Sequence, residues 1–237
     1  MLGLALVLLA AQDVEMVADA PPEIRSSAIR DIDFVPRGWR LYDKAEGDLD
    51  NDGQSDAVLI IQKNDPSLMV ENPDGLGMDW FDANPRMVLV ALQDEAGQYR
   101  LVARNGMIVP DHDSPTIDDP FQDLRIENGS VHLDLAFFAS AGSWSMFSRR
   151  FQFRWDGKAM ALIGFESNHV HRGSGEMQQT SVNYLTGKRK DASGSISDDE
   201  TDWRWSNIAA ENRRSWMRSA TDLNSKARAC PPKKDRL

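Results

Sequence analysis

From residue 124 to residue 185 apolar and polar side chains alternate, and this period of two constrains the fold more than any other feature of the chain. Val131, Leu133, Leu135 and Phe137 share one face, with His132 and Asp134 on the other. Phe151, Phe153 and Trp155 repeat the pattern against Gln152 and Arg154, and Thr180, Val182 and Tyr184 repeat it within Gln178–Leu185. Successive strand residues point to opposite faces, so each run buries one side and wets the other. Asn128-Gly129 separates Leu124–Glu127 from the strand beginning at Ser130, and both residues tolerate the positive φ of a type I′ hairpin turn. Asp156-Gly157 reads as a second two-residue turn leading into Lys158–Phe165, and Asp94-Glu95-Ala96-Gly97 joins Arg86–Leu92 to Gln98–Ala103. Tight turns between alternating runs give antiparallel sheets. The fold class is mainly β.

The flanks differ from this body. Met1–Ala11 is an apolar run ending in small residues, which reads as the core of a truncated secretory signal or as a buried apolar segment. No lysine or arginine precedes Arg25. Residues 12–38 form a polar, proline-bearing lead-in, and residues 39–203 form the β domain. Residues 204–237 are expected to be a basic helix and tail, because Trp205, Ile208, Ala209, Trp216, Ala220 and Leu223 recur near helical spacing. Charge divides the same way. Residues 1–203 hold 18 Lys+Arg against 34 Asp+Glu, and residues 204–237 hold 9 against 3. An acidic body argues against nucleic acid as the partner, since phosphate binding needs a basic face. No stretch reaches the ~20 apolar residues of a membrane span, and Cys230 is the sole cysteine, so no disulfide forms within the chain.

One segment carries a specific chemistry. Gly47-Asp48-Leu49-Asp50-Asn51-Asp52-Gly53-Gln54-Ser55-Asp56 runs directly into the apolar strand Ala57–Gln62. Calcium takes six to eight oxygen ligands, and alternate residues of a tight loop point inward. The expected ligands are Asp48, Asp50, Asp52, the carbonyl of Gln54, and Asp56, with Gly53 making the turn. Four carboxylates this close repel one another without a cation. The order matches the first nine positions of an EF-hand loop, but Leu59 stands where a bidentate Glu is required. The strand that follows instead resembles the loop-then-strand calcium sites of FG-GAP and integrin-type propeller repeats. The remaining oxygens would come from the acidic 111–119 segment or Glu71. Such a closed cage is structural rather than catalytic.

Other patterns carry less. His169-Val170-His171 could present two imidazoles, but no third zinc ligand has suitable spacing. Ser143, Ser145 and Ser148 lie in no nucleophile elbow. Asp134 and Glu166 could form a glycosidase pair, although strand alternation alone explains Asp134 as a wet-face residue. The chain therefore reads as a non-enzyme. Residues 63–85 are loop-like, and a connection that long inside a compact domain is functional or disordered. Ala139–Phe147 joins two strongly patterned strands through small residues bearing Trp144, whose indole either caps one end of the fold or supplies contact area to a partner.

Several segments together resemble a known group: Gly47–Asp56, Asn84-Pro85-Arg86, the small residues and tryptophan at 140–144, Phe151–Trp155, Leu162–Phe165, and Thr180–Lys188 with its Asn-Tyr-Leu-Thr-Gly-Lys ending. They resemble a family of secreted bacterial proteins with one calcium loop on a β-propeller-like fold. The group includes periplasmic immunity proteins that neutralise peptidoglycan hydrolases and are similar to inhibitors of invertebrate-type lysozyme. Those inhibitors insert a Ser-Gly-x-Tyr loop into the hydrolase cleft. The nearest match here is Ala141-Gly142-Ser143-Trp144, with Ser140 one place early and Trp in place of Tyr, so the resemblance implies Ser140, Gly142, Ser143 and Trp144 as the partner-binding residues. The resemblance implies a periplasmic or secreted, Ca2+-binding protein whose partner is a cell-wall hydrolase, on an antiparallel propeller-like or sandwich domain. The alternative is a calcium-stabilised surface or carbohydrate-binding module without inhibitory activity.

Overall fold

The computed structural model describes residues 22–198 and 202–208. Fourteen strands follow in order. They are β1 (Ser27–Ala28), β2 (Trp39–Gly47), β3 (Asp56–Lys63), β4 (Met69–Glu71), β5 (Trp80–Asp82), β6 (Arg86–Gln93) and β7 (Tyr99–Asn105). The series continues with β8 (Phe121–Glu127), β9 (Ser130–Phe137), β10 (Ser145–Trp155), β11 (Met160–His171), β12 (Glu176–Asn183), β13 (Lys188–Ser195) and β14 (Arg204–Asn207). A five-stranded sheet runs β1-β7-β6-β3-β2, and a seven-stranded meander runs β8 through β14 in sequence order. All named pairings are antiparallel. β4 and β5 form a separate two-stranded ribbon.

The two larger sheets face each other. Val58, Ile60, Val90 and Leu92 of the first pack in one core with Leu124, Val131, Leu133, Leu135, Phe153, Leu162 and Val182 of the second. This is a sandwich-like arrangement, the second of the two architectures expected, and the alternation read in β9 and β12 is what builds it. β3 behaves differently: Ala57, Val58, Leu59, Ile60 and Ile61 are all fully buried. Its other face, Ala57, Leu59 and Ile61, is covered by Ala28, Phe34, Ile24 and Val35. A strand covered on both sides loses its polar alternation, which is why this run reads as continuously aliphatic. Residues 24–35 are therefore a cover for the sheet rather than a bare lead-in, with Phe34 buried on a 3-10 turn at Asp31–Phe34.

The turns follow their residues. Asn128 and Gly129 take φ of 51° and 66°, and β8 and β9 pair directly across them, Glu127 with Ser130. The Asp156-Gly157 connection is longer than the expected two-residue turn. Asp156 donates its N–H to the Ala159 carbonyl, while its carboxylate accepts from Lys158 and Ala159 N–H. That side chain closes a loop over residues 156–159 and delays β11 to Met160.

The C-terminal boundary also moves. Arg204–Asn207 is a strand paired with β13, so Trp205 belongs to the sheet and not to a helix. A polar, lysine-flanked edge lacks the apolar alternation that would have announced it. The rest of the expected helix, from Ala209 on, and the expected signal at Met1–Ala11 lie outside the described residues. Among the described residues no helix is long and apolar enough to cross a membrane.

Candidate metal centre and binding loop

The acidic loop bridges β2 and β3. Asp48, Asp50 and Asp56 each offer a carboxylate oxygen, and these oxygens lie within 4.8 Å of one another. The cluster could hold a metal ion. The loop reverses at Asn51 and Gly53, both at positive φ, and Asp48 draws it together by accepting N–H from Asn51 (2.7 Å) and Gly53 (3.0 Å). Asp56 is fully buried and accepts N–H from Leu49 (2.7 Å) and Gln93 (2.8 Å), which ties the loop to β6. Burial pushes the Asp56 carboxyl up despite those two donors. Burial, then repulsion from Asp52 and Asp48, pushes Asp50 up as well. An oxygen-only set of carboxylates that resist ionisation together suits a hard cation, whose charge would favour their ionised forms.

The expected ligands are brought together only in part. Asp52 is outside that group of three; its Oδ1 accepts the Gln54 N–H at 2.7 Å, and its charge still acts on Asp50. Glu71 and the 111–119 segment do not supply further oxygens either. Glu71 lies in the β4–β5 ribbon, while Asp118 and Asp119 line a cavity with Gln62, at the end of β3 opposite Asp56. The nearer neighbour is the Asn128-Gly129 turn, where a Cβ on Gly129 would sit 3.7 Å from the Asp48 carbonyl oxygen and 3.6 Å from Asn51 Oδ1.

The Trp144 loop lies at the other end of the seven-stranded sheet. Trp144 is 66% exposed, and its backbone is held from several directions. Arg172 donates from its guanidinium to the Ala139 and Ser143 carbonyls, and from its N–H to the Trp144 carbonyl at 2.8 Å. The same guanidinium lies over the Phe138 ring at 4.5 Å. Ser140 donates N–H to the Thr116 carbonyl (2.8 Å), Gly142 turns the chain at φ 82°, and Ser143 Oγ accepts the Ser145 N–H (3.0 Å). Ser140, Gly142 and Ser143 thus fix the loop, and Trp144 is the side chain it presents.

A buried polar network is the feature the sequence did not single out. Arg86 is buried at the start of β6 and donates from both terminal nitrogens to Asp119. Tyr42 OH donates to the same carboxylate at 3.1 Å, and the Arg86 guanidinium lies 4.2 Å from the Tyr42 ring centroid. Burial alone would raise the Asp119 carboxyl, but the hydrogen bonds from Arg86 and the Phe121 N–H outweigh it and hold Asp119 below the usual carboxylate range. Fully buried Gln62 donates to the Asn84 carbonyl and accepts from Arg40, which also pairs with Asp82 at 2.7 Å. Asn84-Pro85-Arg86 and the acidic 111–119 segment are the sequence signals here, but the contacts of Arg86 with Asp119 and Tyr42 lie 33 and 44 residues apart by numbering.

The lesser patterns resolve plainly. Arg150 lies between Asp134 (2.8 Å) and Glu166 (3.4 Å), and Arg125 also reaches Asp134 at 3.0 Å. Burial pushes Asp134 up, but the bonds from Arg150 and Arg125 prevail and lower it, opposite to what a general acid needs. His171 Nδ1 bonds Ser174 Oγ at 2.9 Å, and neither His169 nor His171 joins a metal-ligating cluster among the described residues. No protein family model, curated protein or solved structure matches the chain.

Proposed function

We propose that this is a periplasmic or secreted protein that binds and inhibits a cell-wall hydrolase, using the Trp144 loop as a plug and a calcium ion as a structural clamp. The observation that carries this reading is an indole 66% exposed on a loop whose backbone is already fixed by Arg172. Binding through a preorganised loop avoids most of the ordering cost that a mobile segment incurs. Tryptophan is also among the residues that dominate interface energetics when they enter a pocket. A saccharide-cleaving cleft is a fitting pocket, because sugar subsites favour aromatic faces.

Calcium is the cation we assign to Asp48, Asp50 and Asp56. Their hard oxygens fit it, and an extracytoplasmic compartment holds enough of it for a modest site. The ion would offset carboxylate repulsion and pin the connection into β3.

The inhibition test is lysis of a peptidoglycan suspension by a panel of lysozymes that includes the invertebrate type. The chain is expected to slow at least one of them in proportion to its concentration. Unchanged lysis by every member, with the chain recovered on peptidoglycan alone, would replace the inhibitor with the carbohydrate-binding module.

A further inference from the structure

We infer a second binding site, for an uncharged saccharide unit, in the cavity beneath the β4–β5 ribbon. The cavity has a volume of about 870 Å³, within the range of small-molecule pockets. Four of the six buried polar or charged side chains among the described residues line it: Gln62, Asn84, Arg86 and His112. Burying polar groups is unfavourable unless they are paired, and here they concentrate on one cavity. The pairing is also incomplete, because the buried Nε of Arg86 has no hydrogen-bond partner in the protein. That Nε is itself out of solvent contact, so a ligand oxygen reaches it only when the Arg86 side chain shifts toward the cavity.

The lining selects the ligand class. Five aspartates, Asp65, Asp79, Asp82, Asp118 and Asp119, face two arginines, Arg40 and Arg86. Both arginines are already paired, with Asp82 and Asp119. Asp79 and Asp118 are exposed, and their carboxylates have no side-chain partner among the described residues. An anion is therefore disfavoured. A bare cation would satisfy those carboxylates but brings no acceptor for Arg86. Hydroxyl groups both donate and accept, so a polyol meets both needs. Trp80, 60% exposed, adds an apolar face on which a pyranose ring stacks, and buried Phe81, whose ring lies 5.2 Å from that of His112, backs the wall behind it.

The ribbon is built to stay over the cavity. A Cβ at Gly77 would lie 2.1 Å from the Pro115 carbonyl oxygen, so the ribbon tip can approach the 110–120 segment this closely only with glycine there. Met78 then donates N–H to that carbonyl at 2.8 Å. The site goes beyond the hydrolase reading and does not depend on it.

Isothermal titration calorimetry of the full chain would use an N-acetylglucosamine trimer and a neutral maltooligosaccharide, with a galacturonate trimer and spermidine as charged comparators. At least one neutral sugar is expected to bind and the galacturonate trimer is not. Trp80→Ala is expected to weaken sugar binding at least about tenfold, and Asp118→Asn to weaken it with the melting temperature unchanged, while Trp144→Ala leaves it intact. Silence from both neutral sugars at millimolar concentration, tighter binding of spermidine than of either sugar, or loss of sugar binding in Trp144→Ala alone would each overturn the assignment.

Discussion

The two ends of β3 are built on opposite principles. At the Asp56 end the candidate metal centre is local: its three carboxylates span nine residues of sequence, and backbone N–H groups from the same loop shape it. At the Gln62 end the network is assembled from β2, β3, β6 and the 110–120 segment, with partners such as Arg86 and Asp119 33 residues apart. A local site is stabilised by what binds it. A nonlocal one is stabilised by the fold and in turn holds the fold together. The first should respond to a cation and the second to pH.

The largest expected effect lies at the nonlocal end. Asp119→Ala leaves Arg86 buried without its counter-charge. Breaking a buried pair costs about 3–5 kcal/mol, and the partial exposure of Asp119 places this variant at the low end of that range. Urea unfolding measures it. The pH response of the parent has the same origin. Asp119 titrates lower in the folded protein than in the unfolded chain, so its contribution is complete above the unfolded value of about 3.9 and fades as pH falls through the lower folded value. Chemical unfolding at successive pH values below about 4 should show this loss, and Asp119→Ala should flatten it.

Next is the proposed calcium ion at the local end. A cation present at about 100 times its Kd adds roughly 2.7 kcal/mol to stability, which in a domain of this size raises the melting temperature by about 5–10 °C. Asp50→Ala should remove that rise while changing the melting temperature little in chelator. A rise retained in Asp50→Ala would move the ion away from the cluster. Gly129→Ala should cost about 1 kcal/mol, because its φ of 66° disfavours any Cβ. The space beside it is adequate, so the calcium dependence should persist; its loss would mean that the hairpin turn and the acidic loop act as one unit. The smallest stability effect belongs to Trp144→Ala, within about 0.5 kcal/mol, as for exposed positions generally.

The same contrast explains what was legible in the sequence. The acidic loop announces itself because its chemistry is contiguous, and within it Asp52 stands apart from the three clustered carboxylates. Spacing alone could not tell a carboxylate that points into the cluster from one that caps the Gln54 N–H. The sandwich was legible in Val131, Leu133 and Leu135, whose alternation survives because one face stays wet. It was less legible in residues 24–35, where Ala28 and Phe34 cover a sheet face that no local pattern reveals. β13 and β14 were missed because Lys188, Arg189, Lys190 and Asp191 carry no apolar period. The Arg86 network was legible only as separate segments, Asn84-Pro85-Arg86 and 111–119, because the fold alone pairs Arg86 with Tyr42 and Asp119.

Under the proposed function, the protein's work lies at the end away from the candidate metal centre. The most direct test compares peptidoglycan lysis by a susceptible lysozyme in the presence of the parent chain, Trp144→Ala and Asp50→Ala, all in calcium and below their melting temperatures. The account predicts that Trp144→Ala loses inhibition by more than about tenfold, as expected of a residue that dominates an interface, while Asp50→Ala still inhibits. Full inhibition by Trp144→Ala, with loss of inhibition in the folded Asp50→Ala variant, would contradict it and place the binding surface at the acidic loop.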